Sequence, residues 1–369
     1  MPFTGTLALQ QRVLPAYRAP FFDLLAQSCT GGLHLLAGDP LPIEAISTTN
    51  TLQHALLTPA RNRHLFQPRH PLYLCWQDGL VNWLEKTDPD ALLVEANPRY
   101  LSTPRALRWM KRRGRPSLGW GLGAPPANSF LARQRARFLS SLDGIIAYSQ
   151  QGADEYRALN LLPPNRIFTA PNAVAPRPTL SPPPRSPNPA HPLTLLFVGR
   201  MQTRKRLDLL FRACAELAHE IQPRLVIVGD GPAREEFQTL AAQIYPHAEF
   251  TGARHGPELV PYFTAADLFV LPGTGGLAVQ EAMSYGLPVI VARGDGTQNA
   301  LVRPTNGWLV PPDDLPELRT ALENALVAPA RLRQMGAESY RIVSAEINLE
   351  NMVAVFIQAL QAVSPTGKT

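Results

Sequence analysis

The chain has few cysteines, no long apolar run and no compact metal-ligand motif, and each shortage narrows what it does. Its three cysteines, Cys29, Cys75 and Cys214, are odd in number, far apart and outside any Cys-x-x-Cys or Cys/His spacing. Reduced core positions are expected of them, with no disulfide framework and no thiolate metal centre. No apolar run approaches the roughly 20 residues that a spanning helix needs, which argues against a transmembrane protein. The start, MPFTGTLALQQ, has neither a basic n-region nor a small-residue cleavage site, so no export signal is expected and the default compartment is the cytoplasm. No histidine cluster is present, and no metal and no cofactor is expected.

What is present is enough chain for two domains of ordinary size with a cleft between them, 369 residues in all. A hydrophobic share of 45% and a mean hydropathy of -0.09 are those of a soluble globular protein. The net charge of +6 and pI of about 9.4 favour anionic partners, whether nucleotide phosphates, nucleic acid or an acidic membrane surface. The proline-dense segment Pro176 to Pro192 (PRPTLSPPPRSPNPAHP) reads as an extended spacer between the domains. After it, LTLLFVGR, RLVIVGDG, AEFTG, DLFVLPG, LPVIVA and GWLVPP read as short buried strands. Helices are expected over about Leu207 to His219, from Ala233, and over Pro257 to Ala265, Leu277 to Tyr285 and Leu315 to Leu326. Alternation of this kind predicts a parallel, doubly wound sheet.

The N-terminal half repeats the rhythm with TLALQQRVL, GLHLLAG, PLYLCW, ALLVEA, SLGWGLG, DGIIAYS and RIFTAPN. The expected organisation is α/β: residues 1–175 one Rossmann-like domain, 176–192 a linker, and 193–340 a second Rossmann-like domain. Residues 341–369, helical from about Ala345 to Val363, are expected to return to the first domain.

In open α/β sheets, ligands sit at the carboxyl ends of the strands. Four turns there are unusual. Gly199-Arg200-Met201 is followed at Lys205 by a second cation, a pair able to neutralise a diphosphate, or simply a solvated helix entry. Gly229-Asp230-Gly231-Pro232 lets backbone approach a ligand, or is a tight turn without one. Thr251-Gly252-Ala253-Arg254 places the backbone of Ala253 where it would edge a nucleotide base. The richest turn, Pro272-Gly273-Thr274-Gly275-Gly276-Leu277, opens a helix whose first amides suit an anion, with Glu281 about one turn further on. A carboxylate there suits a vicinal diol; the plainer reading is a favourable charge near a helix N-terminus.

Taken together, these residues resemble the retaining glycosyltransferases of family four, which have the GT-B architecture of two Rossmann-like doubly wound domains facing a cleft. Gly199, Arg200, Lys205, Gly229, Gly231, Pro232, Phe250, Gly252, Pro272, Gly276, Leu277, Glu281, Ala282, Met283, Gly286 and Pro288 keep that family's order and spacing. The resemblance implies a nucleotide diphosphate sugar as donor. Arg200 and Lys205 would hold its diphosphate and stabilise the leaving group. Gly275, Gly276 and Leu277 would line the phosphate or sugar, and Glu281 would bind the ribose hydroxyls. One departure is plain: the family's first glutamate, eight residues before the second, is here Gly273.

In the N-terminal half, Leu14 to Phe22 (LPAYRAPFF) looks like the acceptor-facing turn of bacterial surface-polysaccharide transferases, which makes Tyr17 and Arg18 the acceptor-side candidates. Capping of an apolar helix start is the alternative. The basic stretch Arg105 to Arg115, with Trp109 and Met110 among the cations and Arg133, Arg135 and Arg137 beyond, fits either a helix resting on anionic lipid or a solvated basic face. The expected activity is retaining hexosyl transfer to a lipid-linked or cell-surface glycan acceptor, at the cytoplasmic face of the membrane. The rivals are a nucleotide-sugar-binding protein without turnover and a GT-B-fold sugar epimerase. A nucleic-acid partner accounts for the pI but not for the ordered turns.

Overall fold

The protein is described from a computed structural model, which covers every residue except Ala45, Arg69, 125–131, Asn188, 190–191, 295–297 and 365–369. Asn188, Ala190 and His191 of the proline-rich segment and the last five residues of the terminal segment thus lie outside the described residues. The chain divides into two compact units, one of Met1–Val174 with Leu349–Thr369 and the other of Ala175–Asn348.

The first unit is built on a seven-stranded parallel sheet. Its strands are β1 (Leu7–Val13), β2 (Leu33–Gly38), β3 (Leu56–Ala60), β6 (Ala91–Glu95), β7 (Ser117–Gly121), β8 (Gly144–Ala147) and β9 (Ile167–Thr169), in the order β3-β2-β1-β6-β7-β8-β9. Helices cover both faces, so the inner strands read as continuous apolar runs rather than alternating ones; every residue of Gly144–Ala147 is buried. PLYLCW, expected as a sheet strand, instead contributes β5 (Leu74–Gln77) to an antiparallel hairpin with β4 (Asn62–Leu65). The strand β3 escapes notice in the sequence because Pro59 lies within it, a residue the ladder tolerates only at an edge, and β3 is the edge.

Aromatic packing joins the ends of the chain within this unit. The helix Ala19–Gln27 buries Phe21 and Phe22, and the helix Leu349–Val363 buries Phe356 against them. Phe21 lies 5.0 Å from Phe356 and 5.4 Å from Trp120, ring centre to ring centre, and Trp120 lies 5.1 Å from Phe356. Among the described residues, one helical stretch, Pro329–Val363, is long and apolar enough to cross a membrane by length and composition, and 56% of its most apolar window is buried in the protein. The basic helix Thr103–Arg112 corrects an expectation: Trp109 and Met110 are 7% and 0% exposed, so both face the core. Its exposed face is cationic, carrying Arg105, Arg108, Lys111 and Arg112.

The second unit holds a six-stranded parallel sheet of β10 (Thr194–Val198), β11 (Arg224–Val228), β12 (Glu249–Gly252), β13 (Leu268–Leu271), β14 (Val289–Ala292) and β15 (Gly307–Val310), in the order β12-β11-β10-β13-β14-β15. The expected helices form, with Asp314 capping Leu315–Leu326 through Glu317 N, and a further helix, Pro329–Arg341, follows. The proline-rich segment is tied down along this unit rather than spanning freely. Arg185 is half-buried, and its guanidinium donates to the carbonyls of Phe263 (2.8 Å), Ala266 (2.7 Å) and Tyr285 (2.7 Å). Burial pulls its pKa down to about 10. Tyr340 donates from its hydroxyl to the Leu180 carbonyl and Arg333 to that of Ser186.

Truncating Phe356 removes a ring shared by Phe21 and Trp120. Phe356→Ala is expected to destabilise the first unit by about 3–5 kcal/mol, read as a shifted denaturant midpoint in near-ultraviolet circular dichroism.

Candidate nucleotide site

The strand order of the second sheet reverses between β10 and β13, and ligands of doubly wound sheets bind outside the carboxyl ends of the strands at such a reversal. The turns leaving β10, β11 and β12 meet there backbone to backbone. Gly199 N donates to the Val228 carbonyl, Gly229 N to that of Gly252, and Met201 N to that of Asp230. These approaches are possible because side chains are missing: a Cβ at Gly229 would sit 2.0 Å from the Gly199 carbonyl oxygen, and one at Gly231 would sit 2.3 Å from that of Met201. Asp230 is held by Gly231 N and by Arg234, which leaves it a local role. Arg200 is exposed, and Ala253 is also exposed, its carbonyl accepting from Arg254.

The loop after β13 is zipped to the turn after β10. Thr274 N donates to the Arg204 carbonyl (3.0 Å), Arg204 Nη1 donates to Thr274 Oγ1 (3.1 Å), and Lys205 Nζ donates to the Thr274 carbonyl (2.8 Å). Lys205 is 9% exposed. Its pKa is pushed down to about 8, by burial first and by the Arg204 guanidinium second. Gly275 makes room for that ammonium, since a Cβ there would lie 2.2 Å from Nζ. Lys205 and the glycine loop, singled out separately in the sequence, are therefore one structure.

Gly273 has its explanation in the same contact. A Cβ at 273 would lie 2.2 Å from the Arg204 carbonyl oxygen and 2.5 Å from the Lys205 carbonyl carbon. Both are backbone atoms, so no glutamate enters this position while the turn keeps its place. The outer side of the turn walls a cavity of about 680 Å³ bordered by Arg204, Arg206, Arg212, Arg293, Gly273 and Thr274.

Beyond the loop, the helix Leu277–Ser284 starts after Gly276 and carries Glu281 in its second turn. Leu277 is 48% exposed, whereas Val279, Gln280, Ala282 and Met283 are buried. Glu281 is half-buried, burial raises its pKa, and among the described residues neither a cation nor a hydrogen-bond donor compensates its carboxylate. The sequence reading passed over one neighbour, Gln298. It is 5% exposed and donates from Nε2 to the Gly275 carbonyl at 3.3 Å. The signal that the sequence offers for it is a polar residue in a glycine-containing run after a buried strand.

In the first unit, Tyr17 is 40% exposed. Arg18 corrects the sequence expectation. It is 5% exposed, donates to the Ala173 carbonyl and to Asn172 Oδ1, and lies over the rings of Tyr17, Trp120 and Tyr148 at 5.2, 5.1 and 5.7 Å. A guanidinium committed in this way braces the fold instead of facing an acceptor.

Gly273→Ala is expected to lower the stability of the second unit by about 1–3 kcal/mol, measured by denaturant unfolding, because the added methyl meets backbone. Gly273→Glu is expected to be worse than Gly273→Ala, and an equal or smaller loss would show that the turn yields.

Comparison with known proteins agrees with this geometry. Residues 192–327 match the family described as Glycosyl transferases group 1. A D-inositol 3-phosphate glycosyltransferase from Kineococcus radiotolerans is 29% identical over 337 residues, 83% of this chain and 73% of that protein. A sulfoquinovosyl transferase from Arabidopsis thaliana is 35% identical over 144 residues, 37% of this chain and 27% of that one. The chain spans about half or less of the length of several curated relatives it matches. Among solved structures, Anabaena HepE in complex with UDP superposes with a TM-score of 0.70 at 14% identity, covering 98% of this chain and 100% of that one. Sucrose-phosphate synthase from Thermosynechococcus elongatus gives 0.66 at 20% identity, covering 97% and 98%. Both carry the two parallel sheets of the GT-B fold, as this chain does, and residues 192–327 are similar to the group 1 glycosyltransferases.

Proposed function

We propose that the protein is a retaining glycosyltransferase that moves a hexosyl unit from a nucleotide diphosphate sugar to a hydroxyl of a lipid-linked or cell-surface glycan acceptor. The observation that carries this reading is the pairing, at the switch point of the second sheet, of a buried lysine with a glycine loop and an uncompensated carboxylate on the helix that follows. In this reading Lys205 and Arg200 neutralise the diphosphate as it departs, which is where the charge develops. The Gly276 and Leu277 amides face its oxygens, and Glu281 accepts from the ribose diol. The bond from the anomeric carbon to the diphosphate breaks and one to the acceptor oxygen forms on the same face. The acceptor proton leaves with the diphosphate, and neither a metal nor a separate cofactor takes part.

The relatives support a nucleotide-sugar donor by their names, which include a GDP-mannose-dependent alpha-mannosyltransferase from Corynebacterium glutamicum. An acceptor at the cytoplasmic face of a membrane is in keeping with the cationic face of Thr103–Arg112, which lacks an apolar counterpart and so would bind anionic lipid by charge alone. A second reading, binding without transfer, is favoured by the absence of any side chain at Gly273. Product release separates the two.

A panel of nucleotide sugars read by mass spectrometry tests the activity, and no product from any of them would leave only the binding reading. Lys205→Ala and Glu281→Ala are each expected to reduce donor binding about tenfold or more, since each removes a hydrogen bond to a charged group. Unchanged binding in both would remove the site assignment.

Because the free Lys205 titrates near 8, a bound diphosphate should hold its proton at higher pH. Donor affinity is therefore expected to fall as pH rises above about 8, with proton uptake on binding. Calorimetry at pH 8.5–9 in buffers of different ionisation heat reads that uptake, and Lys205→Met should abolish it.

A further inference from the structure

Among the described residues, Gln298 has one half of its amide engaged and the other half without a partner. It opens the short helix Gln298–Leu301 beyond β14. Its Nε2 donates to the Gly275 carbonyl, while its Oε1 is buried and meets no donor among the described residues. Two glycines make the space that the amide occupies. A Cβ at Gly294 would lie 2.9 Å from Nε2 and 3.2 Å from Oε1, and one at Gly276 would come within 4.0 Å of Nε2. The amide is thus held between the turn after β14 and the loop that opens the Glu281 helix.

A buried acceptor without a donor is a standing penalty, and native chains keep few of them. The neighbouring ammonium, Lys205 Nζ, is bonded to Thr274 and does not fill the vacancy. A hydrogen-bond donor brought to the glycine loop by a ligand would complete the amide. An ionised diphosphate has no proton to give, so the Gly276 and Leu277 amides suit it and the Gln298 oxygen does not. A sugar hydroxyl does suit it. The terminal torsion of a glutamine is soft, and the 3.3 Å contact to Gly275 is long, so the amide can adjust to a ligand beside Gly275.

We infer that Gln298 reads the transferred sugar, its Oε1 accepting a hydrogen bond from a hexose hydroxyl while its Nε2 steadies Gly275. This rests on the donor-site reading above and adds to it the residue that distinguishes a nucleotide sugar from the bare nucleotide. The orphaned oxygen also gives the site a neutral acceptor for the sugar, at a place where Gly273 leaves no room for a side chain.

The test is calorimetric titration of UDP and GDP, and of UDP-glucose and GDP-mannose, into the wild-type chain, Gln298→Met and Gln298→Glu. Methionine keeps the volume and removes the acceptor; glutamate keeps an acceptor. For whichever nucleotide the wild type binds, Gln298→Met is expected to bind the bare diphosphate within about twofold of wild type and its sugar conjugate about tenfold more weakly. Gln298→Glu should recover most of the sugar increment. An equal loss for nucleotide and conjugate would assign Gln298 to loop support alone and overturn the inference, as would no loss for either. Failure of the folded wild type to bind any of the four probes would instead bring down the donor-site reading itself.

Discussion

The contact between the Arg204–Lys205 turn and the Gly273–Gly275 loop is the constraint on which the site depends. It joins the exits of β10 and β13, the two strands between which the sheet reverses its order. Backbone meets backbone there, so its geometry is set by the lack of side chains at Gly273 and Gly275. The same contact carries Lys205 out of solvent and bonds its ammonium to the loop. It also fixes where the helix bearing Glu281 begins. From its other end, Arg185 on the proline-rich segment ties the Tyr285 carbonyl just past that helix. The Glu281 helix is thereby held at both termini by arginine- and lysine-bearing segments that are remote in sequence.

The electrostatics follow from that packing. Lys205 and Glu281 are both partly desolvated, the lysine pulled down in pKa and the glutamate pushed up, and neither shift is caused by the other. Two groups held away from water without neutralising one another are poised to gain from a ligand carrying both an anion and a diol. Surface pairs elsewhere in this unit, such as Arg224 with Glu249, are exposed and mutually satisfied, and contribute little beyond local tethering.

Much of this was legible in the sequence because it rests on local signals. Apolar runs bounded by glycine located the strands of the second sheet within a residue or two, and the glycine turns marked their carboxyl ends. What was not legible depends on contacts between distant segments. Pro59 masked an edge strand. Arg18 reads as a polar residue on a turn until Asn172 and the rings of Trp120 and Tyr148 close around it. Trp109 and Met110 alternate with cations in a way that suits a membrane surface, yet the helical period turns both inward. Pro176 to Pro192 has the composition of a free spacer, and only the carbonyls offered by Phe263, Ala266 and Tyr285 to Arg185 show that it is docked. The absent glutamate at 273 was visible as a gap, but its cause lies 68 residues upstream, in the Lys205 backbone.

The depressed pKa of Lys205 has a consequence for the chemistry of the isolated protein. Cations in this chain are overwhelmingly arginine: its lysines are Lys86, Lys111, Lys205 and Lys368 and no others. An amine is nucleophilic only in its unprotonated form, and near pH 8 about half of Lys205 is in that form whereas an ordinary lysine is almost wholly protonated. A small aldehyde that condenses with free amines, followed by borohydride reduction, should therefore mark Lys205 ahead of the other three. Occupancy of the proposed donor site would then be read from the same peptide as protection.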